Sequence, residues 1–269
     1  AEDKEYVVIL DFIGNYKNNF MIPIALSGDR SYNKDNVRKY VVSGNSLIPG
    51  ASTIHFDEIS KERIFNAVDN LKSMKALIKE SYTSLKNRLG RIPRLVDFYE
   101  NEEIDPMIII REYKTYYAML KAMEKKQEIE ELSDSETLIL EYLSKTVLSG
   151  VRPQELELLK MLLEHNEVSI EEFQEDVSAE FGYLLDMDAI QNTIRILQGH
   201  FHINSAEHQK YAQIDILKVN ENKRIQRLNS FVSKLNESEF RKELNDIISF
   251  GLHRYKEKYN QNKNQGVPF

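Results

Sequence analysis

The spacing of apolar and polar positions changes near residue 72 and predicts a β-containing start followed by a long helical region. The run Tyr6-Val-Val-Ile-Leu-Asp-Phe12 is typical of a buried strand, and Ser52–Phe56 predicts a shorter one. From residue 72 onward, apolar residues recur at intervals of three and four, as on one face of a helix. One helix is expected to run unbroken from Asp105 to about Lys125. The pattern predicts a mainly α protein with a small β component (α+β), organised as a helical bundle.

The apolar pattern and capping signals of residues 152–218 predict a series of helices followed by two strands. Three helices begin near residues 153, 169 and 188, and capping signals mark the second and third starts. Two short strands, Phe201–Ile203 and Ile214–Leu217, are then expected, joined by a polar loop. Three helices followed by a β-hairpin is the element order of a winged helix, so we expect a winged-helix subdomain here. Two further helices are predicted at Asn222–Leu235 and Glu239–Tyr259.

The amino-acid composition excludes several kinds of site and several classes of protein. The 269 residues include no cysteine, which excludes disulfides, a Cys nucleophile and thiolate-bound zinc. The longest aliphatic runs have four residues, far fewer than the ~20 needed to cross a bilayer. The acidic N-terminus lacks the pattern of a signal peptide. We therefore expect a soluble cytoplasmic protein with no membrane partner.

The charge is unevenly distributed around the net value of −7. Residues 72–95 contain seven bases and one acid, whereas residues 124–188 contain eighteen acids and five bases. The bases gather along one predicted helix face and around the turn that follows it, where they could oppose phosphates in a salt-sensitive, sequence-independent contact. The predicted nucleic-acid-binding residues are Lys72, Lys75, Lys79, Lys86, Arg88, Arg91 and Arg94. A charged, solvated helix surface is the alternative interpretation.

The predicted recognition helix of the winged helix, Asp188–Gln198, is a poor match for DNA. Its exposed residues Gln191, Asn192, Arg195 and Gln198 include one base, and acidic helices precede it. Amide side chains can read adenine edges, but affinity is low without phosphate anchors. The favoured use of this subdomain is protein docking.

No residue pattern for catalysis is present. The chain has no Gly-x4-Gly-Lys-Ser/Thr phosphate loop, no Gly-x-Gly-x-x-Gly and no Gly-x-Ser-x-Gly motif. His200, His202 and His208 form a metal-like grouping that Glu207 could complete, and a metal hydrolase is a third interpretation. Structural histidines are the preferred interpretation, so neither a catalytic nor a metal site is predicted.

Five segments of the chain resemble a known family. They are Glu5–Phe20, Ile22–Asp29, Ile48–Ser60, Leu85–Phe98 and Arg152–Lys160. Together they resemble the region after the RecA-like motor in bacterial superfamily-two DEAD/DEAH-type helicases. Those helicases often carry a phospholipase-D-like nuclease domain at the front and an uncharacterised domain at the back. The resemblance implies that Tyr6–Phe12 is the last strand of the second motor lobe. The ATP-handling motifs of the family would precede Ala1, so no catalytic residue is carried over.

The resemblance and the patterns together predict four regions. Residues 1–71 would be a remnant of the second RecA-like lobe with a connecting segment, and residues 72–150 a helical accessory domain with the basic helix–turn–helix. Residues 151–220 would be winged-helix-like, and residues 221–269 would form C-terminal helices and a frayed tail.

The predicted function is that of an accessory C-terminal fragment of an ATP-dependent helicase. It would contact DNA non-specifically and dock the missing motor lobe and flanking domains. ATP and Mg would belong to the parent protein, and the fragment would hold no cofactor and no ATPase centre. The alternative is a protein-interaction scaffold that does not bind nucleic acid.

Overall fold

The computed structural model describes residue 23 and residues 34–43, 58–69, 74–101, 103–125, 127–201, 205–236 and 238–265. The chain divides into two compact units, residues 1–77 and residues 78–269. In the first unit, helices α1 (Lys34–Ser43) and α2 (Glu58–Asp69) pack together. The strands predicted at residues 6–12 and 52–56 lie outside the described residues.

The remainder of the described chain is mainly helical, with one small antiparallel sheet. The helices are α3 (Met74–Leu89), α4 (Leu95–Glu100), α5 (Pro106–Tyr113), α6 (Tyr116–Met123), α7 (Asp134–Thr146), α8 (Pro153–Glu164), α9 (Ile170–Phe181), α10 (Met187–Leu197), α11 (Ser205–Tyr211), α12 (Asn229–Lys234) and α13 (Ser238–Gln265). The strands are β1 (Glu167–Val168), β2 (Leu217–Val219) and β3 (Ile225–Arg227). The predicted fold class, mainly α with a small β component, is confirmed.

Helix starts follow the capping signals in the sequence. Ser133 and Ser169 each accept a hydrogen bond from the backbone N–H three residues later, and the glutamate at that position bonds back to the serine N–H. The unbroken helix expected from Asp105 to Lys125 is wrong. Lys114 has a φ of 71°, and Thr115 caps a new helix by accepting from the Ala118 N–H, so the chain turns between α5 and α6.

Helix α13 forms the centre of the second unit, where it packs against α4, α7 and α8. Phe240 and Phe250 on this helix are fully buried. At Gly150, with a φ of 66°, the chain passes so close to the backbone of α13 that a Cβ would collide with the Gly251 carbonyl oxygen. The long helix therefore holds together segments that are distant in sequence.

The sheet has the strand order β1–β3–β2, and both pairs are antiparallel. Its hairpin lies later in the chain than predicted. Residues 205–211 are helical, and the predicted strand Ile214–Leu217 overlaps β2 at Leu217 alone. The Asn220 side chain accepts hydrogen bonds from the N–H groups of Asn222 and Arg224 and so forms the turn of the hairpin. The predicted helix Asn222–Leu235 is therefore wrong in its first part, which contains this turn and β3.

Candidate nucleic-acid interface

The predicted basic residues occupy helix α3, the turn after it and the start of α4. Lys72 lies outside the described residues. Lys75 and Lys79 are exposed on α3, and Lys86 is half-buried near its end. Gly90, with a φ of 68°, ends the helix, and Arg88, Arg91 and Arg94 are exposed around the turn. The three arginines therefore lie around this turn, and the structure also brings carboxylates to them.

The Lys86 side chain forms an ion pair with Glu124, the residue directly after α6. The Lys86 Nζ lies 2.6 Å from a Glu124 carboxylate oxygen and 3.8 Å from Glu128. The Tyr82 hydroxyl also donates to Glu124. Burial opposes ionisation of Glu124, but the hydrogen bonds from Lys86 and Tyr82 hold its pKa below the ordinary value. This cluster joins α3 to the end of α6 and commits Lys86 to an internal contact.

Arg91 and Arg94 both face Asp97, a buried residue in the first turn of α4. The Arg91 guanidinium donates two hydrogen bonds to the Asp97 carboxylate, at 2.7 Å and 2.8 Å. The Arg94 backbone N–H donates a third at 2.6 Å, and its Nε lies 4.0 Å away. Burial alone would raise the pKa of Asp97, but these hydrogen bonds and charges lower it below the ordinary value. Asp97 therefore caps α4 and offsets one of the two positive charges at the turn.

Helix α13 supplies a second carboxylate to the same helix start. Buried Asp246 accepts a hydrogen bond from the Leu95 backbone N–H at 2.8 Å, and its other oxygen has no hydrogen-bond partner. Burial raises the pKa of Asp246 to about 6, although the Leu95 N–H opposes the shift. Burial and the nearby Asp246 also raise the pKa of Glu243, one turn earlier, well above its ordinary value. The basic turn thus rests on a buried acidic face of α13.

Arg88 completes the set of ion pairs. Its guanidinium lies 3.1 Å from Glu103, whose other oxygen accepts a hydrogen bond from the Ser81 hydroxyl at 2.8 Å. The four basic residues from Lys86 to Arg94 therefore face four carboxylates, which are Asp97, Glu103, Glu124 and Glu128. This part of the basic segment is neutralised within the fold, although each of the three arginine side chains keeps roughly half of its surface exposed.

The helices proposed for partner recognition carry an acidic surface. Helix α9 contains no basic residue and exposes Glu171, Glu175 and Glu180. Helix α10 begins at Met187, one residue earlier than predicted, because the Asp186 side chain accepts a hydrogen bond from the Ala189 N–H and caps the helix. Its one base, Arg195, is exposed. This surface would repel a polyanion.

The metal-like histidine grouping can be followed only in part, because His202 and Ile203 of the predicted strand lie outside the described residues. Phe201 lies outside any strand, His202 falls outside the described residues, and His208 lies on helix α11. Glu207, the carboxylate that could have completed a site, forms an ion pair with Lys145. In the part of the chain that the structure describes, no three histidine, aspartate or glutamate side chains are grouped to hold a metal ion.

Comparison with known families gives one match. A family model described as Domain of unknown function (DUF8090) covers residues 78–260, more than half of the chain. The chain belongs to the DUF8090 family. The match begins at Ile78, where the second compact unit begins. The DUF8090 region therefore contains the neutralised turn, the small sheet and most of α13. No curated protein matches the chain.

No helix within the described ranges of this DUF8090 protein is both long enough and apolar enough to cross a membrane. Helix α13, the longest of the described helices at 28 residues, has charged residues both before Ile247 and after His253.

The sequence pattern identified the basic residues of the candidate interface but not the carboxylates that pair with them. Asp97 left a local signal, because it stands three residues after Arg94, at the position that completes a capping box. Glu124 and Asp246 gave no such signal, because they are 38 residues from Lys86 and 151 residues from Leu95 along the chain. Only the tertiary fold shows that the bases and acids meet.

Proposed function

We propose that this DUF8090 protein is a non-catalytic accessory segment of an ATP-dependent helicase and that it acts by docking other protein domains. The resemblance of five segments to the region after a helicase motor supports the link to helicases. The observation that carries the docking role is the neutralisation of the basic turn by Asp97, Glu103 and Glu124. A base already paired with a half-buried carboxylate gains less from a phosphate, because the carboxylate would be left without its partner.

The unit from α8 to β3 supports the same role. Its order is helix, strand, three helices and a hairpin, and β1 pairs with β3, the second strand of that hairpin. This order supports the proposal of a winged-helix-like subdomain with an extra short helix, α11, before its hairpin. The acidic surface of α9 and the single base of α10 favour a protein partner over a nucleic acid.

Non-specific DNA contact is the second candidate function. It is favoured by the exposure of Lys79, and by the guanidinium groups of Arg88 and Arg94, each with roughly half of its side-chain surface exposed. Phosphates could approach these groups from solvent while the carboxylates hold them from inside. This candidate predicts weak binding that depends steeply on salt.

A titration of labelled duplex DNA separates the two candidates. If three phosphates are contacted, affinity should fall about 40-fold between roughly 50 and 200 mM salt. The DNA-contact candidate also predicts weaker binding for Lys79→Ala with Arg88→Ala than for the control pair Arg111→Ala with Arg195→Ala, exposed bases elsewhere. The docking proposal predicts no saturable binding at either salt concentration. Saturable binding that is lost in the first pair alone would overturn it.

A further inference from the structure

Leu184 is the most exposed large apolar residue in the part of the chain that the structure describes, with 81% of its surface accessible. It lies between α9 and α10, just after Gly182, whose φ of 77° ends α9. The fold fixes both of its neighbours. The Tyr183 hydroxyl donates to the Gln154 side chain at 3.1 Å, and Leu185 is buried. The exposure of Leu184 is therefore imposed by the contacts of the residues beside it.

The same segment exposes a second apolar residue, Met187, in the first turn of α10, with 49% of its surface accessible. The Gln174 side chain of α9 donates to the Leu185 carbonyl oxygen at 2.7 Å and holds the segment against α9. Asp186 caps α10 directly before Met187. Leu184 and Met187 stand three residues apart in the chain, so their Cα atoms are no more than about 11 Å apart. They form an apolar patch on an anchored segment, and covering it with a partner would be favourable.

Exposed carboxylates flank the apolar patch. Residues 161–194 contain nine acids and no lysine or arginine. Asp186 and Asp188 stand on either side of Met187 in the chain, and both are exposed. Glu171 is exposed on α9, three residues before the glutamine that binds the segment, so it shares the face of α9 that meets the segment. These three carboxylates are the acidic rim of the patch.

The acidic rim lacks basic partners. Other carboxylates of α9 are paired within the fold, since Arg224 binds Glu172 and Lys256 binds Glu180. Among the described residues, no lysine or arginine forms an ion pair with any of the three rim carboxylates. Arg195, the one base of α10, lies roughly 10 Å further along that helix. Positive charges on a partner would therefore meet the rim without competition from an internal base.

We propose that the apolar patch and its acidic rim form a docking surface for a basic amphipathic helix of another protein domain. The apolar stripe of such a helix would cover Leu184 and Met187, and its lysine or arginine side chains would face the carboxylates. The flexible side chain of Met187 can adapt to the shape of the helix. The proposal rests on the docking role proposed above and names the chemistry of the partner.

Fluorescence anisotropy with a labelled synthetic peptide and the full chain tests the proposal. The peptide has about 18 residues, with leucine at positions i, i+3, i+4 and i+7 of each repeat and lysine elsewhere. We expect saturable binding that is roughly tenfold weaker in Leu184→Ser. Ile59→Ser, at an exposed isoleucine of the first compact unit, should bind like the wild type. Because both side chains are exposed, both variants should fold, which circular dichroism checks.

A second pair of variants tests the acidic rim. Glu171→Gln combined with Asp188→Asn should weaken binding by about three- to tenfold at roughly 50 mM salt, and the difference should shrink near 1 M salt. The matched control is Glu100→Gln combined with Asp134→Asn, since both residues are exposed and Asp134, like Asp188, lies in the first turn of its helix. The control should bind like the wild type. A peptide with glutamate in place of lysine should not bind.

Several outcomes would overturn the proposal. They are the absence of saturable binding, equal affinity in the wild type, Leu184→Ser and Ile59→Ser, and equal binding of the glutamate peptide. Self-association of the chain that Leu184→Ser abolishes would identify a second copy as the occupant and would also overturn it. These failures leave the docking role standing if the DNA titration shows no saturable binding. Saturable DNA binding that is lost in the Lys79 and Arg88 variant would instead overturn the docking role itself.

Discussion

Replacing Asp97 by alanine should destabilise the DUF8090 unit strongly. The substitution removes the two hydrogen bonds from Arg91 and the one from the Arg94 N–H, and it uncaps α4. Hydrogen bonds to a charged group contribute about 1.5–3 kcal/mol each, but Arg91 is half-exposed and recovers solvation, so its share is well below that range. With the loss of the cap, about 3 kcal/mol is expected in total.

Urea unfolding followed by circular dichroism measures this change in the free energy of unfolding. Glu100→Ala is the matched control, because Glu100 is exposed on the same helix, and it should change stability by less than about 0.5 kcal/mol. Adding Arg91→Ala to Asp97→Ala should cost little more, since the two residues share their contact. A loss below about 1 kcal/mol for Asp97→Ala would refute the assignment of Asp97 as the residue that holds this turn.

The effect of Asp97 should also depend on pH. Its pKa is lowered in the folded state, so the native protein binds this proton less readily than the unfolded chain does. The stabilisation is therefore complete above the unfolded pKa, near 3.9, and is lost as the pH falls through the folded value. The difference in stability between the wild type and Asp97→Ala should shrink in acid, and a constant difference down to pH 2 would contradict the shift.

Two other substitutions test the packing of the unit. Burial raises the pKa of Glu155 to about 7, so its contribution to stability falls by about 3 kcal/mol as the pH rises from its ordinary pKa through 7. Glu155→Gln should remove this dependence, which urea unfolding at pH 5 and pH 8 would show; an unchanged slope would contradict it. Gly150→Ala should cost clearly more than the ~1 kcal/mol expected for Gly90→Ala. Both glycines have a positive φ, but only at Gly150 would the added Cβ meet other backbone atoms. Equal thermal-melting shifts would be inconsistent with that close approach.

Much of the helical architecture could be predicted because its signals are local. The capping boxes at Ser133 and Ser169 and the left-handed glycine at Gly90 each depend on residues within one turn of the chain. The hairpin was misplaced because its strands have three residues each, too few for a period-two pattern to stand out. Its turn depends on Asn220 side-chain hydrogen bonds, which polarity alone does not reveal.

The charge of the candidate interface could not be predicted, because it is a property of the fold. Residues 72–95 are strongly basic in the sequence, yet Glu124, directly after α6, binds Lys86, and Asp246 of α13 binds the Leu95 backbone N–H. The electrostatic potential at a surface depends on all nearby charges, so the net charge of one segment predicts it only where no other part of the chain brings opposite charges close. Here Glu124, Glu103 and Asp97 approach within hydrogen-bond distance of Lys86, Arg88 and Arg91, so this part of the predicted basic surface is held in ion pairs within the fold.

The most direct test of whether the basic turn is neutralised within the fold is ¹H–¹⁵N NMR of the Arg88 and Arg91 guanidinium groups. Spectra are compared with and without duplex DNA at low salt. If these groups are bound to Glu103 and Asp97, their resonances should be sharp, slowly exchanging and unchanged by DNA. The Arg91 signals should collapse in Asp97→Ala. Saturable, DNA-dependent shifts of both groups in the wild type would contradict a docking module with an internally neutralised turn.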